Sequence, residues 1–116
     1  MGRLSTHVLD TSRGRPGAGM AFALYRVEGE ARVKLAEGVT NEDGRAPKPL
    51  LEGEAFRPGR YMLVFRVAAY FRALGVALPD PPFLDEVTLC FGMAEDGHYH
   101  VPLLVSPFGY TTYRGS

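Results

Sequence analysis

Glycine and proline set the architecture of this chain. It carries fourteen glycines and nine prolines in 116 residues, about a fifth of the sequence against a usual share of about an eighth. They recur at regular intervals: Gly14 to Gly19, Gly29, Gly38, Gly44 to Pro49, Pro58-Gly59, Pro79 to Pro82, Gly97, and Pro107 to Gly109. Short stretches rich in Val, Leu, Phe and Tyr lie between them. Short apolar runs punctuated by turn residues imply an all-β sandwich or barrel. No repeat, low-complexity tract or linker divides the chain, so a single domain over residues 1-116 is expected.

Alternation with period two locates the strands. Tyr61, Leu63, Phe65 and Val67 share one face. Val87, Leu89, Phe91 and Met93 share another, as do Tyr99, Val101, Leu103 and Val105. Segments 4–10, 20–27, 31–39 and 109–114 are further strand candidates. Between Ala68 and Leu78 the alternation breaks. Ala69, Phe71, Arg72, Ala73 and Leu74 suit a short helix ended by Pro79. The expectation is seven or eight strands and one short helix.

Composition narrows the function. Thirteen basic residues balance thirteen acidic ones, so the chain lacks the electrostatic footprint of a general nucleic-acid or anionic-membrane binder. One cysteine, Cys90, allows neither an internal disulfide nor a four-cysteine zinc site. It reads as a structural thiol among apolar neighbours. The N-terminal stretch has no apolar core of the secretory type, and no apolar run reaches the roughly 20 residues that span a bilayer. These features imply a cytoplasmic protein.

The outward strand faces carry the chemistry. One alternate face of the first strand holds Ser5, His7 and Leu9, and that of the 98–105 strand holds His98, His100, Pro102 and Leu104. A solvent face would carry Lys, Glu or Arg. Histidine mixed with apolar residues implies a face buried between subunits, with or without a polar site inside it. All three histidines fall in these two strands, and histidine passes protons near neutral pH. The His98-x-His100 spacing places both rings on one strand face, where His7 would be a third metal ligand. No Asp, Glu or Cys nearby is an obvious further ligand. Thr40-Asn41-Glu42-Asp43-Gly44-Arg45 reads as a tight turn presenting Arg45 at a rigid corner. Arg45 is either a solvated charge or a planar donor for a carbonyl or ring anion. The tail Gly109 to Ser116 is too aromatic for an ordinary solvated end. There is no Gly-rich phosphate loop, serine elbow or paired-carboxylate signature.

Together these motifs resemble one family. Leu4-Ser5-Thr6-His7-Val8-Leu9-Asp10 with Gly14-Arg15-Pro16 resembles the N-terminal signature of the transthyretin-like proteins, and Thr40 to Arg45 their central motif. His98-Tyr99-His100-Val101-Pro102-Leu103-Leu104-Val105-Ser106-Pro107 and the terminal Tyr113-Arg114-Gly115-Ser116 resemble the version found in 5-hydroxyisourate hydrolases. The run Phe83-Leu84-Asp85-Glu86-Val87 departs from the family's usual Phe-Phe-Pro-Glu-Val. The resemblance implies a transthyretin-like β-sandwich of about eight strands in two sheets with one short helix. It implies a homotetramer, a dimer of dimers, with sites in clefts between subunits.

The activity so implied is hydrolysis of 5-hydroxyisourate to 2-oxo-4-hydroxy-4-carboxy-5-ureidoimidazoline in urate degradation, with no metal and no organic cofactor. By motif, His7, Arg45, His100 and Ser116 take the catalytic positions; at the tandem pair the match is to His100. His7, Arg45, Tyr113, Arg114 and Gly115 are implied to bind substrate. The rival expectation is a non-catalytic, transthyretin-type carrier of aromatic small molecules in the same channel. It calls for a drier channel and lacks the Tyr-Arg-Gly-Ser end.

Overall fold

A computed structural model of the chain describes residues 2–115. The strands are β1 (Arg3–Asp10), β2 (Arg15–Pro16), β3 (Ala21–Glu28), β4 (Ala31–Val39), β5 (Leu51–Glu52), β6 (Gly59–Arg66), β7 (Glu86–Met93), β8 (His98–Ser106) and β9 (Gly109–Thr112). One helix, α1 (Val67–Ala73), follows β6, and a 3-10 turn covers Gly53–Ala55. Strands β2-β1-β8-β9 form one sheet, with β5 also pairing β1; β4-β3-β6-β7 form the other. The expected two-sheet sandwich with one short helix is present. The short pairs β2 and β5 both lie against β1.

Alternation decides which side chains meet between the sheets. Leu4 and Val8 of β1 pack with Tyr99, Val101, Leu103 and Val105 of β8, against Leu24, Tyr61, Leu63, Phe65, Val87 and Met93 of the opposite sheet. Burying each large apolar side chain contributes roughly 1.5–3 kcal/mol, so the two sheets hold one another through a shared core. Strands β1 and β8 run parallel, with Ser5 opposite His100 and His7 opposite Pro102. Fixing the inward residues therefore also fixes which outward residues are neighbours.

The helix differs from the sequence expectation at both ends. Val67, expected on the β6 face, is its first residue and is buried there with Ala68, Tyr70 and Phe71. The helix stops at Ala73, well before Pro79. Gly75 takes a positive φ of 83°. Its N–H donates to the Arg72 carbonyl, and the Val76 N–H donates to the Phe71 carbonyl. That is a Schellman ending, which glycine permits without a steric penalty.

At the end of β1, Asp10 is fully buried. Its carboxylate accepts from the Ser12 hydroxyl (2.6 Å), Arg13 Nε (3.0 Å) and the Tyr70 hydroxyl (2.8 Å). Burial alone would push this carboxyl up. The hydrogen bonds from Ser12, Arg13 and Tyr70 outweigh it and hold the group below the usual aspartate value. This network joins β1 to α1.

Candidate active site

His7 and His100 project from adjacent strands on the outward face of the β1–β8 sheet, and both are half-buried. Their ring centroids are 6.3 Å apart. Arg45 arrives from a third segment and bridges to the backbone of His7. Three chain segments thus place two imidazoles and a guanidinium on one surface.

The turn that delivers Arg45 is built on Asn41. Its side-chain oxygen accepts from the N–H groups of Asp43 (2.9 Å) and Arg45 (3.1 Å), an Asx-type turn. The Asn41 N–H donates to the Arg45 carbonyl at 2.8 Å. The Val8 N–H donates to the Gly44 carbonyl at 2.7 Å, seating the turn on β1. Gly44 has φ of 76°, and a β-carbon there would strike the Val8 carbonyl. Only glycine satisfies both conditions.

His7 and His100 each have one ring nitrogen occupied. His7 Nε2 donates to the Asp43 carbonyl at 2.9 Å. A carbonyl only accepts, so a neutral His7 carries its proton on Nε2 and keeps a lone pair on Nδ1. His100 Nδ1 lies 2.8 Å from the Ser5 hydroxyl oxygen. Burial first, then the positive charge of Arg45 and the neighbouring His7, hold the His100 pKa below its ordinary value. His100 is therefore neutral at pH 7 and able to accept a proton.

A cleft of about 310 Å³ opens over this surface, lined by Arg3, Ser5, Arg45, His98, Tyr99 and His100. His98 is exposed at its mouth. The tail returns to the cleft at Gly115. The Gly115 N–H donates to the His100 carbonyl (2.7 Å), and the His100 N–H donates back to the Gly115 carbonyl (3.3 Å). Tyr113 and Arg114 lie elsewhere. Both line a second cavity of about 410 Å³ between the β7 and β9 edges, with Cys90, Phe91 and Tyr110. The Arg114 guanidinium sits 3.9 Å over the Tyr99 ring, and its Nη2 donates to the His98 carbonyl. Ser116 lies outside the described residues. Among the described residues no three His, Cys, Asp or Glu side chains gather as a metal-binding group, and no helix is long and apolar enough to cross a membrane.

Three further groups shape the site. Ser5 had a signal, since it shares the outward face of β1 with His7. Asn41 was legible only as a turn residue. The Asp43 carbonyl is a backbone group, and no side-chain pattern marks it.

A β-sandwich with histidines and an arginine on an outer sheet face matches a known class. The HIUase/Transthyretin family model matches residues 4–115, and the chain belongs to that family. Its relative from Pseudomonas aeruginosa, a 5-hydroxyisourate hydrolase, is 59% identical over 117 residues, covering 100% of this chain and 93% of the relative. The structure of Klebsiella pneumoniae 5-hydroxyisourate hydrolase superposes with a TM-score of 0.83 at 37% identity, covering 100% of both chains. Sea bream transthyretin, solved in complex with thyroxine, superposes with a TM-score of 0.86 at 28% identity, covering 97% of this chain and 94% of that one.

Proposed function

We propose that this chain is a 5-hydroxyisourate hydrolase, opening the substrate to 2-oxo-4-hydroxy-4-carboxy-5-ureidoimidazoline in urate degradation. The gathering of His7, Arg45 and a neutral His100 on one sheet face, with Arg45 and His100 lining its cleft, carries this reading. The high identity to hydrolase relatives supports it.

Ring opening adds water across an amide bond. The water oxygen bonds to the ring carbonyl carbon, and the carbon–nitrogen bond breaks. One water proton passes to His100 as general base and then to the leaving nitrogen. Arg45 donates to the carbonyl oxygen and stabilises the negative charge that develops there. The free Nδ1 of His7 orients the water. Ser116, by its hydroxyl, holds the ring or assists proton delivery. Tyr113, Arg114 and Gly115 complete substrate binding when subunits meet. No covalent nucleophile is required, because preorganised polar groups suffice for a ring that already opens slowly in water. The reading further includes one domain over residues 1-116, a cytoplasmic homotetramer arranged as a dimer of dimers, and independence from metal and cofactor.

Removing Tyr113 to Ser116 tests the role of the tail. Freshly generated 5-hydroxyisourate should lose its ultraviolet absorbance quickly with the full chain. With the truncated chain, its fold checked by circular dichroism, the loss should fall towards the spontaneous rate. Equal acceleration by both chains contradicts the tail assignment. Acceleration by neither leaves the non-catalytic carrier of aromatic molecules as the better reading.

A further inference from the structure

The ring of His100 is held from both sides by groups that have no reactive role of their own. On one side, Ser5 stands opposite His100 in the parallel β1–β8 ladder, with its hydroxyl oxygen 2.8 Å from Nδ1. On the other side lies Gly115. A β-carbon there would come within 3.1 Å of His100 Cδ2, 3.3 Å of Cβ and 3.5 Å of Cγ. The Nδ1 edge therefore faces β1, the Cδ2 edge faces the tail, and Nε2 remains directed away from the sheet.

We infer that Ser5 and Gly115 are positioning residues that fix both the tautomer and the orientation of His100. This rests on the assignment of His100 as general base. A base needs its lone pair on the open nitrogen. With Nε2 open, the ring proton belongs on Nδ1, where it donates to the Ser5 hydroxyl oxygen. Free imidazole side chains favour the proton on Nε2, which would leave no lone pair facing the cleft. The Ser5 hydroxyl can donate to Nδ1 or accept from it; accepting is the arrangement that leaves Nε2 its lone pair. Gly115 leaves the ring room beside a backbone that is hydrogen-bonded to it in both directions. Ser5 and Gly115 thereby hold the His100 ring as the Asp43 carbonyl holds that of His7.

The test reads the tautomer directly. Chain labelled with ¹⁵N-histidine, in wild-type, Ser5→Ala, Ser5→Thr and Gly115→Ala forms, is observed by ¹⁵N NMR, and kcat and KM are measured across pH. Wild-type His100 should show a protonated Nδ1 and an unprotonated Nε2. Ser5→Ala should move the proton towards Nε2 and lower kcat about tenfold, part of the 10²–10⁴-fold that a general base supplies, with KM little changed. Ser5→Thr keeps the hydroxyl and should restore both tautomer and kcat. Gly115→Ala should lower kcat while melting near the wild-type temperature. An unchanged tautomer and kcat in Ser5→Ala would overturn the inference and leave the hydrolase reading standing. Full activity in His100→Ala would instead remove the base assignment on which it rests.

Discussion

His100 and Arg45 are coupled through charge. The guanidinium disfavours a second positive charge on the nearby imidazole, and burial acts in the same direction. Replacing Arg45 by Met removes that repulsion, so the His100 pKa should rise towards the ordinary histidine value of about 6.5. An NMR titration of the His100 ring measures this, and a downward shift would contradict the coupling. The same substitution removes the donor to the carbonyl oxygen and should cost about 10²-fold in kcat/KM. The pH profile carries the matching sign. Activity is present while His100 is neutral and falls as acid protonates it, on the acid side of the ordinary histidine pKa.

At the scale of elements, the site depends on a turn seated on a strand. Gly44 supplies the positive φ and the close approach to the Val8 carbonyl. Gly44→Ala should destabilise the fold by about 1–3 kcal/mol and displace Arg45. Thermal melting and kcat/KM measured together check this; unchanged activity would mean that the turn does not position Arg45. Much of this level was legible in advance. The alternating faces of β6, β7 and β8 follow from period-two burial, and the Asn-Glu-Asp-Gly turn from its residue types. The helix was less legible. Its buried face holds Val67, Ala68, Tyr70 and Phe71, and a seven-residue helix spans too few turns for a periodic signal. The Ser5–His100 contact was hidden for another reason: it depends on a parallel register between residues 95 apart in the chain, which no local pattern encodes.

Across the whole molecule, the buried carboxylate of Asp10 makes stability depend on pH. Asp10 joins β1 to α1 through Tyr70 and is braced by Ser12 and Arg13. Its pKa in the folded chain lies below the usual value, so the unfolded chain binds that proton more tightly. The stabilisation is therefore present above the ordinary aspartate pKa and is lost as pH falls through the lower, folded value. Asp10→Asn should cost about 2 kcal/mol at neutral pH and flatten the acid limb of the stability curve. Urea unfolding at several pH values measures both effects. An acid limb as steep as that of wild type would show that other carboxylates carry it.

A neutral His100 that shares a cleft with Arg45, with His7 beside it on the same sheet face, is the proposed basis of 5-hydroxyisourate hydrolysis by this chain. The most direct measurement follows the ultraviolet decay of substrate freshly made from urate, after the oxidase has been removed and with a chelator present. Wild type and His100→Ala are compared at equal concentration, each verified as folded. Decay should be rapid with wild type and near the spontaneous rate with His100→Ala. Decay no faster than spontaneous with folded wild type would contradict the proposed basis, as would His100→Ala matching wild type.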